Sequence, residues 1–295
     1  MVNSNEENFL KQIQAGRKIE ATDDMPEEYR SAVVSLLGTY ADGELSGAYS
    51  ILEWATKAPT VQEKILVTQM IRDEMYHASI FYKCLEELGV NVENRTREFD
   101  RAYDSVYLNR KNQTINSGKR DALRNDAIQG IKILNFRAET WTELIMLNVC
   151  LDRFSYHLLA DAANCSYAPL AKACQNITKD EVSHIHHGDD WVDRLAKNPD
   201  TRQEVQQALD DYFPSLMNQF GPMDTPAYKI ARKWGLMVRN HNELREDFRR
   251  EIKGMAKRAG LQMPLWVLPG NKKPGILTNH FLPKIKTKLF ALLSR

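Results

Sequence analysis

Residues 72–77 read RDEMYH and residues 179–184 read KDEVSH. Both contain Asp-Glu-x-x-His, as Asp73-Glu74-Met75-Tyr76-His77 and Asp180-Glu181-Val182-Ser183-His184, and Glu-x-x-His occurs nowhere else in the 295 residues. With the Glu and His present, chance supplies about half of one such motif. Residues three apart share a helix face, so the Glu and His of each motif can reach the same ligand.

Working outward, Glu44 precedes Glu74 by 30 residues and Asp152 precedes Glu181 by 29. Each half of the chain therefore reads as a helix with one carboxylate, a turn, and a helix with Glu-x-x-His. Glu139, Glu143 and Asp161 share the helix with Asp152, and the repeat spacing favours Asp152. Apolar residues recur at three- and four-residue spacing almost throughout, which predicts helices over 27–54, 60–88, 139–163, 166–195, 199–213 and 225–260. Thr60 and Glu63 suggest a capping box, and Gly89 a stop.

Two such hairpins packed face to face would gather Glu44, Glu74, His77, Asp152, Glu181 and His184 in one core. That arrangement is the two-metal site of a ferritin-like four-helix bundle, here with additional C-terminal helices. Buried without metal, the six groups would be costly, whereas two divalent cations neutralise four carboxylates. The ligand types suit iron and manganese alike. Asp73 and Asp180 are placed to accept the free ring N–H of the histidine on the opposite hairpin. His157, five residues after Asp152, is a candidate neighbour of the site. Of His184, His186 and His187, two are expected at the surface or just behind the metal ligands. The aromatic residues Tyr40, Tyr49, Trp54, Tyr76, Phe81, Trp141, Phe154 and Tyr156 are expected to pack in the core.

Composition closes off other classes. Forty Lys plus Arg against 39 Asp plus Glu give a net charge of +1, so no bulk charge points to nucleic acid. No apolar run is long enough for a transmembrane helix, and no secretory signal is evident. Cys84, Cys150, Cys165 and Cys174 form no C-x-x-C pair and are expected to be reduced thiols of a cytoplasmic protein. No glycine-rich nucleotide motif appears. Residues 90–134 break the pattern, and 95–137 are basic and turn-prone; they read as a solvated connection, with a basic lid over a phosphate-bearing ligand as the alternative. Residues 271–295 are basic and free of acid.

Several stretches resemble the catalytic oxygenase subunit family of phenylacetyl-CoA epoxidase, among the phenylacetate-catabolism di-iron proteins. They are Ile19-Glu20 with MPEEYR at 25–30, Glu44-x-x-Gly47, WATKAPT at 54–60, RDEMYH at 72–77 and Leu88-Gly89. The resemblance resumes at Trp141 with Asp152, CSYAP at 165–169, KDEVSH at 179–184, Gly188, Phe220-Gly-Pro222 and Asn242-Glu-Leu-Arg245. It implies the six metal ligands named above. It further implies two iron ions that use O2 to oxygenate an aromatic ring held as an acyl-CoA thioester. Electrons would come from NADPH through a separate reductase, with a non-catalytic ferritin-like paralogue or a second copy of the chain as partner. The chain departs from the family in an insertion within 95–137, in Tyr76, expected to fill space near the metal, and after about residue 269. Residues 1–265 are thus expected to form the oxygenase domain, and 266–295 a Pro-rich segment with an amphipathic basic tail. A non-catalytic scaffold role is the alternative reading.

Overall fold

A computed structural model describes residues 4–112 and 138–266, and among them the chain is helical with no strand. Four long helices build the bundle: α2 (Glu27–Ile51), α4 (Val61–Glu87), α6 (Trp141–Ala162) and α7 (Ala168–Lys197). α2 packs along α4 and α6 along α7, and the hairpins meet through α4 and α7. Around them stand α1 (Ser4–Gln14), α3 (Trp54–Lys57), α5 (Val92–Asn112), α8 (Pro199–Gln219), α9 (Pro226–Lys233) and α10 (His241–Ala259). α8 and α10 cover α6 and α7. This is an all-α, ferritin-like bundle with added C-terminal helices.

The long helices begin and end for local reasons. Thr60 Oγ1 accepts from the Glu63 backbone N–H at 3.1 Å, and Gly89 leaves α4 with φ +76°. The expected capping box is only half made, because the Glu63 carboxylate turns to His187 Nε2 at 2.8 Å. Gly188 lets the second hairpin close: a Cβ there would stand 2.5 Å from Val149 Cγ2. Ile19 and the CSYAP stretch also meet, since Ile19 N–H donates to Ser166 O and Ala168 N–H to Ile19 O, both at 2.8 Å. The aromatic residues Trp54, Trp141 and Trp191 pack at one end of the bundle, with centroids 5.9 and 5.3 Å apart in sequence.

Three expectations are corrected. The stretch from 92 to 112 is helix α5 rather than a solvated connection, because Phe99 is fully buried and Arg95, one turn earlier, pairs with buried Asp42. The expected helix over 225–260 is two, α9 and α10. Gly235 at φ +65° ends the first, and the Asp161 carboxylate takes the Val238 and Arg239 N–H groups at 2.9 and 2.7 Å. A full capping box on Asn240 starts the second. α8 runs to Gln219 past Pro214, because Leu216, Met217 and Phe220 beyond the proline are all buried. α1 lies outside the expected helices; its Phe9 ring packs edge-on against Tyr29 and Trp234. Residues 113–137 and the tail from 267 lie outside the described residues.

Candidate metal centre

The bundle helices carry carboxylate and imidazole groups, Glu44 on α2, Glu74 and His77 on α4, Asp152 on α6, Glu181 and His184 on α7; four of them cluster together and Asp152 and His184 stand beside the cluster. One oxygen or nitrogen from each of Glu44, Glu74, His77 and Glu181 lies within 4.8 Å of all the others. His77 Nδ1 is 3.6 Å from Glu44 Oε2 and 3.7 Å from Glu181 Oε1. On the other flank, His184 Nδ1 is 3.5 Å from Glu74 Oε1, and buried Asp152 feels the charges of His184 and Glu74. Gly47 makes room for this packing, since a Cβ there would approach Glu74 Oε2 to 3.2 Å.

The second nitrogen of each histidine faces away from the cluster. His77 Nε2 lies 3.3 Å from Asp180 Oδ2, and His184 Nε2 lies 3.6 Å from Asp73 Oδ2. Each aspartate thus reaches the histidine of the opposite hairpin. A proton on Nε2 leaves the Nδ1 lone pair directed at the carboxylates, the tautomer a metal ligand needs.

The donor set fits a metal on its own evidence. His77 Nδ1, Asp152 Oδ2, Glu181 Oε1 and His184 Nδ1 are buried and have no hydrogen-bond partner. Each such orphan costs about 1–3 kcal/mol unless something satisfies it, and a divalent cation satisfies oxygen and imidazole donors together. Without a cation, protons take its place. Burial pushes Glu44 up to about 8 and Asp152 up to about 7, and it carries Glu181 well above the usual carboxylate range. Glu74 goes the other way; burial raises it too, but His184 and Glu44 beside it outweigh that. Burial opposes charge on His184, yet Glu74, Asp152 and Asp73 raise its pKa to about 9, and Glu44, Glu74 and Asp180 raise that of His77.

Two expected neighbours lie elsewhere. Tyr76 is 63% exposed and does not fill space near the cluster. With Glu74 and His77 facing inward, the position between them faces out. His157 is buried but faces α10, where its Nε2 lies 3.3 Å from Glu251 Oε1; five residues from Asp152 put it on another face. Among the other acids of α6, Asp161 is bound to the 238–239 backbone and Glu143 caps the helix through the Glu139 N–H. His186 is exposed and His187 is held by Glu63.

A cavity of about 660 Å³ adjoins the cluster between α2 and α6, with Glu44, Glu74, Asp152 and Glu181 in its wall. Apolar side chains such as Ile51, Met70, Leu151 and Phe154 line it as well. Part of the wall comes from the stretch between Gln219 and His241, to which the sequence assigns no role beyond the motifs Phe220-Gly-Pro222 and Asn242-Glu-Leu-Arg245.

A helical bundle whose core carries carboxylates and histidines in this arrangement, beside a mainly apolar cavity, defines a ferritin-like protein with a site able to hold metal. The chain belongs to the phenylacetic acid catabolic protein family, whose family model matches residues 5–287. It is similar to one of the subunits of the 1,2-phenylacetyl-CoA epoxidase of Escherichia coli (strain K12), with 24% identity over 262 residues, covering 88% of this chain and 77% of that protein.

Proposed function

We propose that this chain is the oxygenase subunit of a multicomponent, cytoplasmic enzyme that inserts oxygen from O2 into an aromatic acyl-CoA thioester such as phenylacetyl-CoA. The observation that carries this reading is the set of four unpartnered buried atoms, on His77, Asp152, Glu181 and His184, in a cluster that adjoins a cavity lined by Asp152 and Glu181. Glu44, Glu74, His77, Asp152, Glu181 and His184 would hold two iron ions. When bound, the iron pair supplies O2 activation, chemistry that no protein side chain offers. Asp180 accepts the Nε2 proton of His77 at 3.3 Å, and the Asp73 carboxylate, 3.6 Å from His184 Nε2, favours a proton there by its charge, so that each Nδ1 lone pair stays turned inward. The apolar wall of Ile51, Met70, Leu151 and Phe154 seats the aromatic group and excludes water from the carboxylates. Electrons would enter from NADPH through a separate reductase, since the chain has no nucleotide motif of its own. The relative is one subunit of its enzyme, which supports the presence of further subunits here; a ferritin-like paralogue or a second copy of the chain would be the partner.

The scaffold reading fares worse, because a scaffold has no physical reason to keep orphaned ionisable groups in its core. Metal content by mass spectrometry on freshly purified chain, beside Glu74→Ala, tests the proposal. Two irons per chain, lost in the variant, and NADPH-dependent conversion of phenylacetyl-CoA with a reductase are expected. Metal-free protein from iron-supplied cells would overturn it.

A further inference from the structure

The stretch joining α8 to α10 is pinned at both ends. Buried Arg245 donates from Nε to the Met217 carbonyl at 3.2 Å, from its second terminal nitrogen to the Gly221 carbonyl, and from Nη1 to Asn242 Oδ1 at 2.9 Å. At the other end, Asp161 takes the Val238 and Arg239 N–H groups. Gly221, at φ +71°, makes the turn that starts the stretch. Phe220-Gly-Pro222 and Asn242-x-x-Arg245 are therefore the two halves of one clasp, and the clasp holds that part of the cavity wall in place.

His241 stands at the end of that wall. It is 7% exposed and lines the cavity, and its ring meets the Tyr228 ring edge-on at 4.6 Å. Its Nδ1 is 3.2 Å from the Gly221 carbonyl, which can only accept, so Nδ1 carries the proton and donates. Burial pushes the imidazole pKa down and keeps the ring neutral. Nε2 is then a bare acceptor, and it has no protein partner among the described residues.

The cavity narrows what can meet that acceptor. Among the described residues no Lys or Arg lines it, so its described wall offers nothing to the phosphates of a carrier. A pocket of about 150 Å³ takes benzene, and the 660 Å³ here leave room for a tether beyond the ring. Between thioester sulfur and phosphate, the donors nearest the sulfur on a pantetheine arm are amide N–H groups. We propose that His241 is a substrate-binding residue whose Nε2 accepts a hydrogen bond from an amide N–H of the arm bearing the acyl thioester. This assignment rests on the acyl-thioester reading above.

Two probes separate the possibilities: the N-acetylcysteamine thioester of phenylacetate, which has one amide, and its S-propyl thioester, which has none. Binding of each to the iron-loaded full chain is measured by calorimetry for the native protein, His241→Asn and His241→Gln. The Asn amide reaches only the Nδ1 position and can still donate to Gly221, whereas Gln reaches the Nε2 position. Asn should weaken the amide probe about fivefold to tenfold and leave the S-propyl probe unchanged, with Gln recovering most of the loss. Equal weakening of both probes by Asn, or of neither, overturns the role of His241 while the acyl-thioester reading stands. Native protein that binds neither probe overturns that reading, and this assignment with it.

Discussion

Asp42 and Glu44 stand two residues apart on α2, both buried, and they are treated in opposite ways. Asp42 is fully satisfied by the protein: Tyr82 OH donates to its Oδ1 at 3.0 Å, and Arg95 donates to both oxygens at 3.1 and 2.5 Å. Glu44 meets a histidine nitrogen at 3.6 Å and other carboxylates, with no Lys or Arg among its neighbours in the cluster. A buried carboxylate with its own guanidinium is a structural part. A group of buried carboxylates without one is a site that asks for cations from outside. The distinction separates structure from function along a single helix.

The largest effect should come from breaking the satisfied pair. Asp42→Ala strands Arg95 and should cost about 3 kcal/mol in unfolding free energy, read by denaturant titration, with metal content unchanged. Glu44→Gln should do the reverse, lowering metal content while leaving the metal-free protein as stable or more so.

Next comes pH. In metal-free protein Glu44 at about 8 and Asp152 at about 7 sit above their ordinary carboxylate values, and His184 at about 9 and His77 are raised as well. The folded state then binds more protons than the unfolded chain, so this stability is present at low pH and is lost as pH rises through those values. Thermal unfolding of chelator-treated protein should show a Tm falling from about pH 5 to about pH 9. Metal affinity should climb over the same range, because the metal displaces those protons. A Tm that rises with pH in metal-free protein would break the comparison.

Asp180→Ala should weaken metal binding about 10- to 100-fold by freeing the His77 ring, measured by competition with a chelator, at little cost to the fold because Asp180 is exposed. The smallest change is Gly47→Ala. Its methyl would press on Glu74 Oε2 from 3.2 Å, and partial metal occupancy with a nearly unchanged Tm is the expected result.

The two Glu-x-x-His motifs are legible because spacing within a helix is a local matter, and the 30- and 29-residue intervals extend that reading to Glu44 and Asp152. Tyr76 departs from its expected place although it lies within the same motif; helix periodicity, followed through, puts it outside. His157 departs for a different reason, since its partner Glu251 lies on a helix almost a hundred residues later. The solvated reading of the basic segment fails where Phe99 and Arg95 find their partners on α2, at Tyr49 and Asp42.

By itself, then, the sequence determined the helical bundle, the repeat of its halves and the clustering of Glu44, Glu74, His77 and Glu181, all properties of periodicity and residue chemistry along one helix. Tertiary structure alone decided that α9 and α10 are separate, that Arg245 and Asp161 clasp the wall between α8 and α10, and that His241 faces a cavity. Those outcomes depend on backbone groups and side chains far apart in the chain, whose pairing no local pattern encodes.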